Sequence, residues 1–192
     1  SLTIMYNGEI YNFPELRREL EKKGHRFYTN TDTEVVVHAY EEWGPGCLNK
    51  FNGMFAFAIW DSTKKELFLA RDRNGIKPLY YCILDGKFLF ASEVKSILLF
   101  DEFKRELDKQ AFHYFINLRY VPAPYTMFKG IKKLPPAHYM VVSKRGVKIK
   151  RYWKLREKYV ERTESEIIKL LQRTLEESVK RHMIADVPVG VY

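Results

Sequence analysis

The sequence predicts an α+β fold, with helices and antiparallel strand pairs in separate stretches of the chain. Residues 12–24 and 32–43 place apolar side chains at helical spacing. Residues 54–61 then alternate large and small apolar side chains, and residues 66–71 follow as the second strand of a hairpin. Both faces of these strand segments are apolar, which is typical of a sheet that is covered on each side.

The first predicted elements are a short strand at residues 2–6 and the two helices. The strand leads directly into Asn7-Gly8-Glu9. Asn12 is the predicted N-cap of the first helix, and Gly24 is placed to end it. The second helix is predicted to begin at Asp32.

Turn and cap signals predict the rest of the chain. Asp85-Gly86 favours a two-residue hairpin turn, and Thr163 with Glu166 forms a capping-box pattern that begins a long amphipathic helix. The other predicted elements are strands at residues 78–84, 87–92, 138–143 and 147–152 and helices at 93–99 and 109–117, the latter capped by Asp108. Because the chain opens within one predicted strand and closes within another, from residue 186 onward, we expect it to be part of a longer polypeptide.

The composition excludes several classes of protein. The 192 residues are 46% hydrophobic and 15% aromatic, enough for a packed core, so global disorder is excluded. No apolar run approaches the roughly 20 residues of a membrane-spanning helix, and the first residues lack a signal-peptide pattern. We therefore expect a soluble, cytoplasmic protein with no membrane partner.

The charge balance raises the question of nucleic acid as a partner. The chain carries 33 Lys and Arg against 24 Asp and Glu, a net charge of +9. Most basic residues have acidic neighbours, and the sustained basic stretch is residues 129–162. A solvated, lysine-rich surface explains this pattern without nucleic acid, which we do not expect as a partner.

Asn7-Gly8-Glu9, between a strand and a helix, is the first candidate site. A glycine after a strand lets backbone N–H groups approach a ligand, and an Asn amide beside such a group offers two donors to a developing oxyanion. Glu9 adds a negative charge suited to an amine. The competing interpretation is a plain Asn-Gly turn. Asp32 is the second candidate, and by itself it fits an N-cap as well as a ligand.

Other reactive residue types give weaker indications. The charges of residues 71–75 favour a loop organised by ion pairs. Cys47 and Cys82 have no adjacent histidine or activating charge cluster, which favours buried thiols over nucleophiles. The sequence has no phosphate-binding glycine loop of the GxxxxGK or GxGxxG type. The histidines show no metal-ligand spacing, so the sequence predicts no metal site; they are His25, His38, His113, His138 and His182.

Six motifs in series resemble glutamine-dependent asparagine synthetase of type B. They are YNGEIYNFPELRREL (6–20), GHRFYTNTDTEV (24–35), NGMFAFAIWD (52–61), LARDRNGIKPLYY (69–81), FASEVKSIL (90–98) and DVPVGV (186–191). The order and approximate spacing are those of the family, over essentially the whole chain. Glutamine–fructose-6-phosphate amidotransferase has related NG and TDTEV elements but lacks the NGEIYN, FASE and DVPVGV set.

The resemblance implies a four-layer αββα sandwich of the N-terminal-nucleophile hydrolase type, incomplete at its N-terminus. It implies a glutaminase domain of the class II amidotransferase type at residues 1–155. Residues 156–192 would be the linker, helix and first strand of an ATP-pyrophosphatase synthetase domain. The family makes asparagine from aspartate, ATP and ammonia released from glutamine, so these three substrates are the implied partners. ATP and Mg²⁺ belong to the full-length enzyme, and we expect this stretch of chain to bind neither. A homodimer is compatible with the resemblance.

The motifs assign roles to four residues. Asn7 and Gly8 match the oxyanion hole, Asn7 with its side-chain amide and Gly8 with its backbone N–H. Glu9 and Asp32 match the residues that hold the α-ammonium of glutamine, so all four are implied glutamine-binding residues. The family's nucleophile is a cysteine at the mature N-terminus, and here Ser1 occupies a strand position well past that point.

Two further departures from the family limit what the chain does alone. Cys47 does not match the nucleophile, and the upstream arginine that binds the glutamine carboxylate has no counterpart. The chain alone is therefore expected to be inactive. Two other functions stay open at this point: a class II amidotransferase acting on another acceptor, and a non-catalytic glutamine-binding or interaction module.

Overall fold

Two antiparallel sheets form the centre of the protein. The computed structural model describes residues 1–157, 159–185, 187–188 and 190. The larger sheet contains β1 Leu2–Ile10, β2 Gly53–Asp61, β3 Glu66–Arg71, β7 His138–Ser143 and β8 Gly146–Arg151, in the order β1-β2-β3-β7-β8. The smaller sheet contains β4 Tyr80–Leu84, β5 Lys87–Ala91 and β6 Lys132–Lys133, in the order β5-β4-β6.

Five α-helices lie among the described residues. They are α1 Phe13–Lys22, α2 Asp32–Trp43, α3 Val94–Leu98, α4 Lys109–Leu118 and α5 Glu164–His182, with a 3-10 helix at Gly44–Asn49. No helix among the described residues is long and apolar enough to cross a membrane. The predicted elements are confirmed to within a few residues at each end, apart from the first strand and the segment from residue 186 onward.

The elements stack in four layers, which confirms the αββα sandwich. Leu20 of α1 packs with Phe57 of β2 in a core between the first helices and the larger sheet. Leu69 and Tyr81 belong to a second core between the two sheets. Ile97 of α3 lies in a third core on the outer face of the smaller sheet.

The alternating sizes of the β2 side chains explain how this strand lies between two layers. Phe55, Phe57 and Ile59 face the helices and are almost completely buried. Ala56 and Ala58 face the smaller sheet, where short side chains let the second layer approach. The predicted burial of both strand faces is therefore confirmed.

Pairing between distant segments was not predicted from the sequence. β3 pairs with β7 in antiparallel register, with Leu69 opposite Met140. β1 pairs with β2 along nine residue pairs, from Leu2 opposite Asp61 to Ile10 opposite Gly53. Two hairpins, β2–β3 and β4–β5, form as predicted.

The C-terminal prediction is confirmed in part. Thr163 and Glu166 make both hydrogen bonds of the predicted capping box, and α5 follows. The apolar side chains of α5 are exposed, with Leu171 at 56%. The strand predicted from residue 186 onward includes residues 186, 189, 191 and 192, which lie outside the described residues.

Candidate active site

Asn7, Gly8 and Glu9 lie within β1 and not after it. The strand continues to Ile10, and Asn7 stands opposite Ala56 of β2. The predicted end of the strand at residue 6 and the interpretation of Asn7-Gly8 as a turn are therefore wrong. Pairing with β2 keeps this segment extended, because its backbone groups find partners in the neighbouring strand.

Gly8 is required by the close approach of β1 and β2. A Cβ atom at this position would lie 2.6 Å from Phe55 Cα and would also collide with Met54 O. The φ angle of Gly8 is +156°, which side chains rarely adopt. Close packing against β2 therefore explains why position 8 is a glycine, independently of any ligand.

The backbone N–H of Gly8 points away from β2. Ile10 N donates to Asp32 Oδ2 over 2.9 Å, on the outer side of β1, whereas Tyr11 N donates to Asn52 O on the β2 side. Alternate residues of a strand direct their N–H groups to the same side. Gly8 N–H therefore points to the same strand edge as Ile10 N–H and Asp32.

Asn7 directs its amide toward the smaller sheet. Asn7 Nδ2 donates to Ser92 Oγ over 3.3 Å, next to a cleft of about 140 Å³ between the two sheets. Ala58 and Leu79 are among the residues that line this cleft. An amide carries two N–H donors, so one can stay on Ser92 while the other points to a ligand. Ser92 is not among the predicted site residues, although it lies within the FASE motif.

Asp32 is the first residue of α2 and does not act as its N-cap. Thr31 caps the helix, and its hydroxyl accepts from Glu34 N. The Asp32 carboxylate instead accepts from Tyr6 Oη over 2.6 Å and from Ile10 N. The N-cap interpretation of Asp32 is therefore wrong. Tyr6 was missed as a site residue because its role depends on a contact across 26 residues of chain.

The acidic residues create a negative potential at this edge of β1. Burial raises the pKa of the Tyr6 hydroxyl well above its ordinary value. The hydrogen bond to Asp32 and the negative charges of Asp32 and Glu9 raise this pKa further. The same charge on Glu9 contributes to the raised pKa of Tyr11, after burial. A cationic group is the ligand that such a potential favours.

The loop after β3 supports β2 at the point opposite Gly8. Asp72 accepts hydrogen bonds from Phe55 N and from three backbone N–H groups of its own loop. The Arg71 guanidinium donates to the carbonyl oxygens of Gly75, Lys77 and Leu134, each over 2.7 Å. The described side chains thus organise this loop through backbone groups, and the predicted ion pairing is not the mechanism.

Neither cysteine has the properties of a nucleophile. Cys47 is completely buried, and burial raises the pKa of its thiol to about 12. Burial also raises the pKa of the Cys82 thiol, which is 2% exposed. The structure confirms the interpretation of both residues as buried thiols.

Comparison with known proteins gives the family. The family model of the glutamine amidotransferase domain matches residues 1–153. Asparagine synthetase [glutamine-hydrolyzing] 3 of Bacillus subtilis is 40% identical over 191 residues, covering 99% of this chain and 31% of that protein. Putative asparagine synthetase [glutamine-hydrolyzing] 2 of Methanocaldococcus jannaschii is 37% identical over 195 residues, covering 100% of this chain and 37% of that protein.

A solved structure shows the same fold. A glutamine phosphoribosylpyrophosphate amidotransferase from Bacillus subtilis superposes with a TM-score of 0.58 at 22% identity, over 79% of this chain and 29% of that one. The chain spans about a third of the length of the curated relatives it matches. The resemblance drawn from the motifs is confirmed, and the chain belongs to the glutamine amidotransferase domain family.

Proposed function

We propose that the chain carries the glutamine-binding residues of a glutamine-hydrolysing asparagine synthetase, the activity named in its relatives. Such an enzyme makes asparagine from aspartate, ATP and ammonia released from glutamine. In this proposal residues 1–155 belong to the glutaminase domain, and residues 156–192 begin the synthetase domain that takes ATP, Mg²⁺ and aspartate. The observation that carries the proposal is that Asn7, Gly8 and Glu9 are consecutive in β1, and that the Asp32 carboxylate accepts from Ile10 N next to them.

The acidic residues account for recognition of the amino-acid end of glutamine. Glutamine carries an α-ammonium. Glu9 and Asp32 supply negative charge near Tyr6, and this charge contributes to the raised pKa of the Tyr6 hydroxyl. The Asp32 carboxylate is held in place by Tyr6 Oη and Ile10 N. Part of its charge stays available, because a carboxylate accepts about four hydrogen bonds.

The donors account for activation of the carboxamide. When a nucleophile attacks the side-chain carbonyl of glutamine, negative charge develops on the oxygen. Asn7 Nδ2–H and Gly8 N–H are two donors on consecutive residues that can stabilise this oxyanion. Ser92 Oγ keeps the Asn7 amide oriented toward the cleft between the sheets.

The nucleophile is not among the residues near this edge. Ser1 stands six residues from Asn7 along an extended strand, which is about 20 Å. Cys47 is buried in the core under α2. We therefore expect the chain alone to release no glutamate from glutamine.

The experiment compares two nitrogen sources in the complete polypeptide that contains this chain. Asn7→Ala is expected to slow glutamine-driven asparagine formation by roughly 100- to 1000-fold, because one oxyanion donor is lost. Ammonia-driven synthesis is expected to stay unchanged, since free ammonia bypasses glutamine hydrolysis. Asn117→Ala, on the exposed side of α4, is the matched control and should affect neither activity.

The charge of the acidic pair is tested without removing its hydrogen bonds. Glu9→Gln and Asp32→Asn keep the shape of the side chains and should raise the KM for glutamine more than they lower kcat, because the ammonium is charged in ground and transition states alike. Equal loss of glutamine-driven and ammonia-driven synthesis in Asn7→Ala would show that Asn7 is structural, and the proposal would be wrong.

A further inference from the structure

His25, His38 and Glu41 form a cluster beside α2, away from the glutamine-binding residues. His25 lies in the connection between α1 and α2, whereas His38 and Glu41 are one helical turn apart on α2. The Nδ1 atoms of the two histidines are 3.2 Å apart. Glu41 Oε2 lies 2.8 Å from His38 Nδ1 and 3.8 Å from His25 Nδ1. Both imidazole side chains are largely buried, at 16% and 17% exposure.

Carboxylates also lie behind both rings. His25 Nε2 is 3.2 Å from Glu42 Oε2, and His38 Nε2 is 3.6 Å from Glu34 Oε1. Glu34 is itself held by the backbone N–H groups of residues 28 and 29. For His25, the carboxylate beside Nε2 favours the proton on that nitrogen and leaves a lone pair on Nδ1. His38 has a carboxylate near each ring nitrogen, and the shorter contact is the one from Nδ1 to Glu41.

A cation between the three facing atoms would satisfy all of them together. In the tautomers that leave a lone pair on both Nδ1 atoms, these atoms and the carboxylate oxygen repel one another unless a positive charge bridges them. A proton on His38 Nδ1 can serve either Glu41 or His25 well, but its single N–H direction does not serve both. A metal ion accepts all three donors at once.

The distances fit a tetrahedral zinc ion. Two nitrogen atoms bound to zinc at 2.0–2.1 Å with a tetrahedral angle are about 3.3 Å apart. The observed Nδ1–Nδ1 distance is 3.2 Å, and the two distances to Glu41 Oε2, 2.8 and 3.8 Å, lie on either side of this value. Glu41 is 43% exposed, so it can adjust and leaves a solvent-facing position for a water ligand.

We propose that His25, His38 and Glu41 bind one Zn²⁺ ion, with water as the fourth ligand. The ion would fix the α1–α2 connection to the middle of α2, about 9 Å along the helix from Asp32. Sequence spacing does not reveal this cluster, because His25 and His38 are 13 residues apart and lie in different elements. The proposal is independent of glutamine hydrolysis.

The test uses the 192-residue chain freed of metal and titrated with Co²⁺, then with Zn²⁺. We expect one equivalent of Co²⁺ to give the intense visible bands of tetrahedral cobalt, and equimolar Zn²⁺ to abolish them. Zn²⁺ should also raise the midpoint of thermal unfolding. A ligand that binds only the folded state increases the equilibrium constant for folding by the factor 1 + [Zn²⁺]/Kd.

Variants separate a built site from adventitious binding. His25→Ala and His38→Ala should each abolish the cobalt bands while the far-UV circular dichroism stays unchanged. Glu42→Gln removes the carboxylate charge behind His25, together with its ion pair to Lys23, and should weaken binding by about 10- to 100-fold. His113→Ala, on exposed α4, is the matched control and should bind like the parent chain.

Two results would overturn the proposal. One is a parent chain that gives no tetrahedral cobalt bands. The other is saturable binding that survives in both His25→Ala and His38→Ala. Because neither readout involves glutamine, failure here leaves the proposed glutaminase function untouched, and the reverse also holds.

Discussion

Removal of the Tyr6 hydroxyl tests how the acidic site is held together. Tyr6→Phe deletes the hydrogen bond to Asp32 Oδ2, which is 2.6 Å long and partly buried. A hydrogen bond to a charged group contributes about 1.5–3 kcal/mol. Asp32 keeps its bond from Ile10 N, so we expect the lower end, about 1.5 kcal/mol.

The assay is urea and thermal unfolding of the 192-residue chain. For a protein of this size, a loss of about 1.5 kcal/mol lowers the Tm by roughly 3–6 °C. Tyr28→Phe is the matched control, because the Tyr28 side chain is 92% exposed and its hydroxyl should contribute within about 0.5 kcal/mol.

The pH dependence gives an independent readout of the same contact. The folded-state pKa of Tyr6 is raised above its ordinary value of 10.0, so the stabilisation is complete below pH 10 and is lost as the pH rises further. The stability difference between the parent chain and Tyr6→Phe should therefore shrink above pH 10. Other tyrosines with raised pKa values are present in both proteins and cancel in this difference.

Either of two outcomes would refute this reasoning. If Tyr6→Phe is as stable as the parent at neutral pH, the contact with Asp32 contributes nothing. If the stability difference grows above pH 10, the sign of the Tyr6 pKa shift is wrong.

Two further substitutions test the strand contacts beneath the site. Gly8→Ala should destabilise the chain by about 3 kcal/mol in urea unfolding, because the new methyl group meets the backbone of Phe55. Gly46→Ala is the control and should be nearly neutral, since the nearest neighbour of its new methyl group is 4.0 Å away. Equal effects of the two substitutions would contradict the close approach of β1 and β2. Asp72→Ala leaves the N–H of Phe55 and three loop N–H groups without their acceptor. Calorimetry should show a loss of at least about 3 kcal/mol in the free energy of unfolding, and little loss for the exposed control Asp101→Ala. A loss below about 1 kcal/mol would show that solvent replaces these hydrogen bonds.

Local chemistry explains why most elements were predictable. Asp85 and Gly86 both adopt positive φ angles, at 47° and 76°, as a two-residue hairpin turn requires. Asp108 caps α4 with two hydrogen bonds, and Thr163 with Glu166 caps α5. These signals act within four residues, so the sequence alone carries them.

The candidate site residues were proposed from the motifs and not from local structure. The resemblance singled out Asn7, Gly8, Glu9 and Asp32; the first three lie in β1, and the Asp32 carboxylate accepts from Ile10 N of the same strand. Their local conformations were misjudged, because strand pairing with β2 prevails over the turn tendency of Asn-Gly.

The sequence by itself determined the α+β class, the hairpins and the helix caps, since each depends on neighbours along the chain. Only the tertiary structure decided that β3 pairs with β7, that Asp32 accepts from Tyr6, and that His25 meets His38. These contacts join segments 13 to about 70 residues apart, and their formation depends on which faces of helices and strands bury each other. Residue spacing does not encode that choice, because many partners satisfy the same apolar pattern.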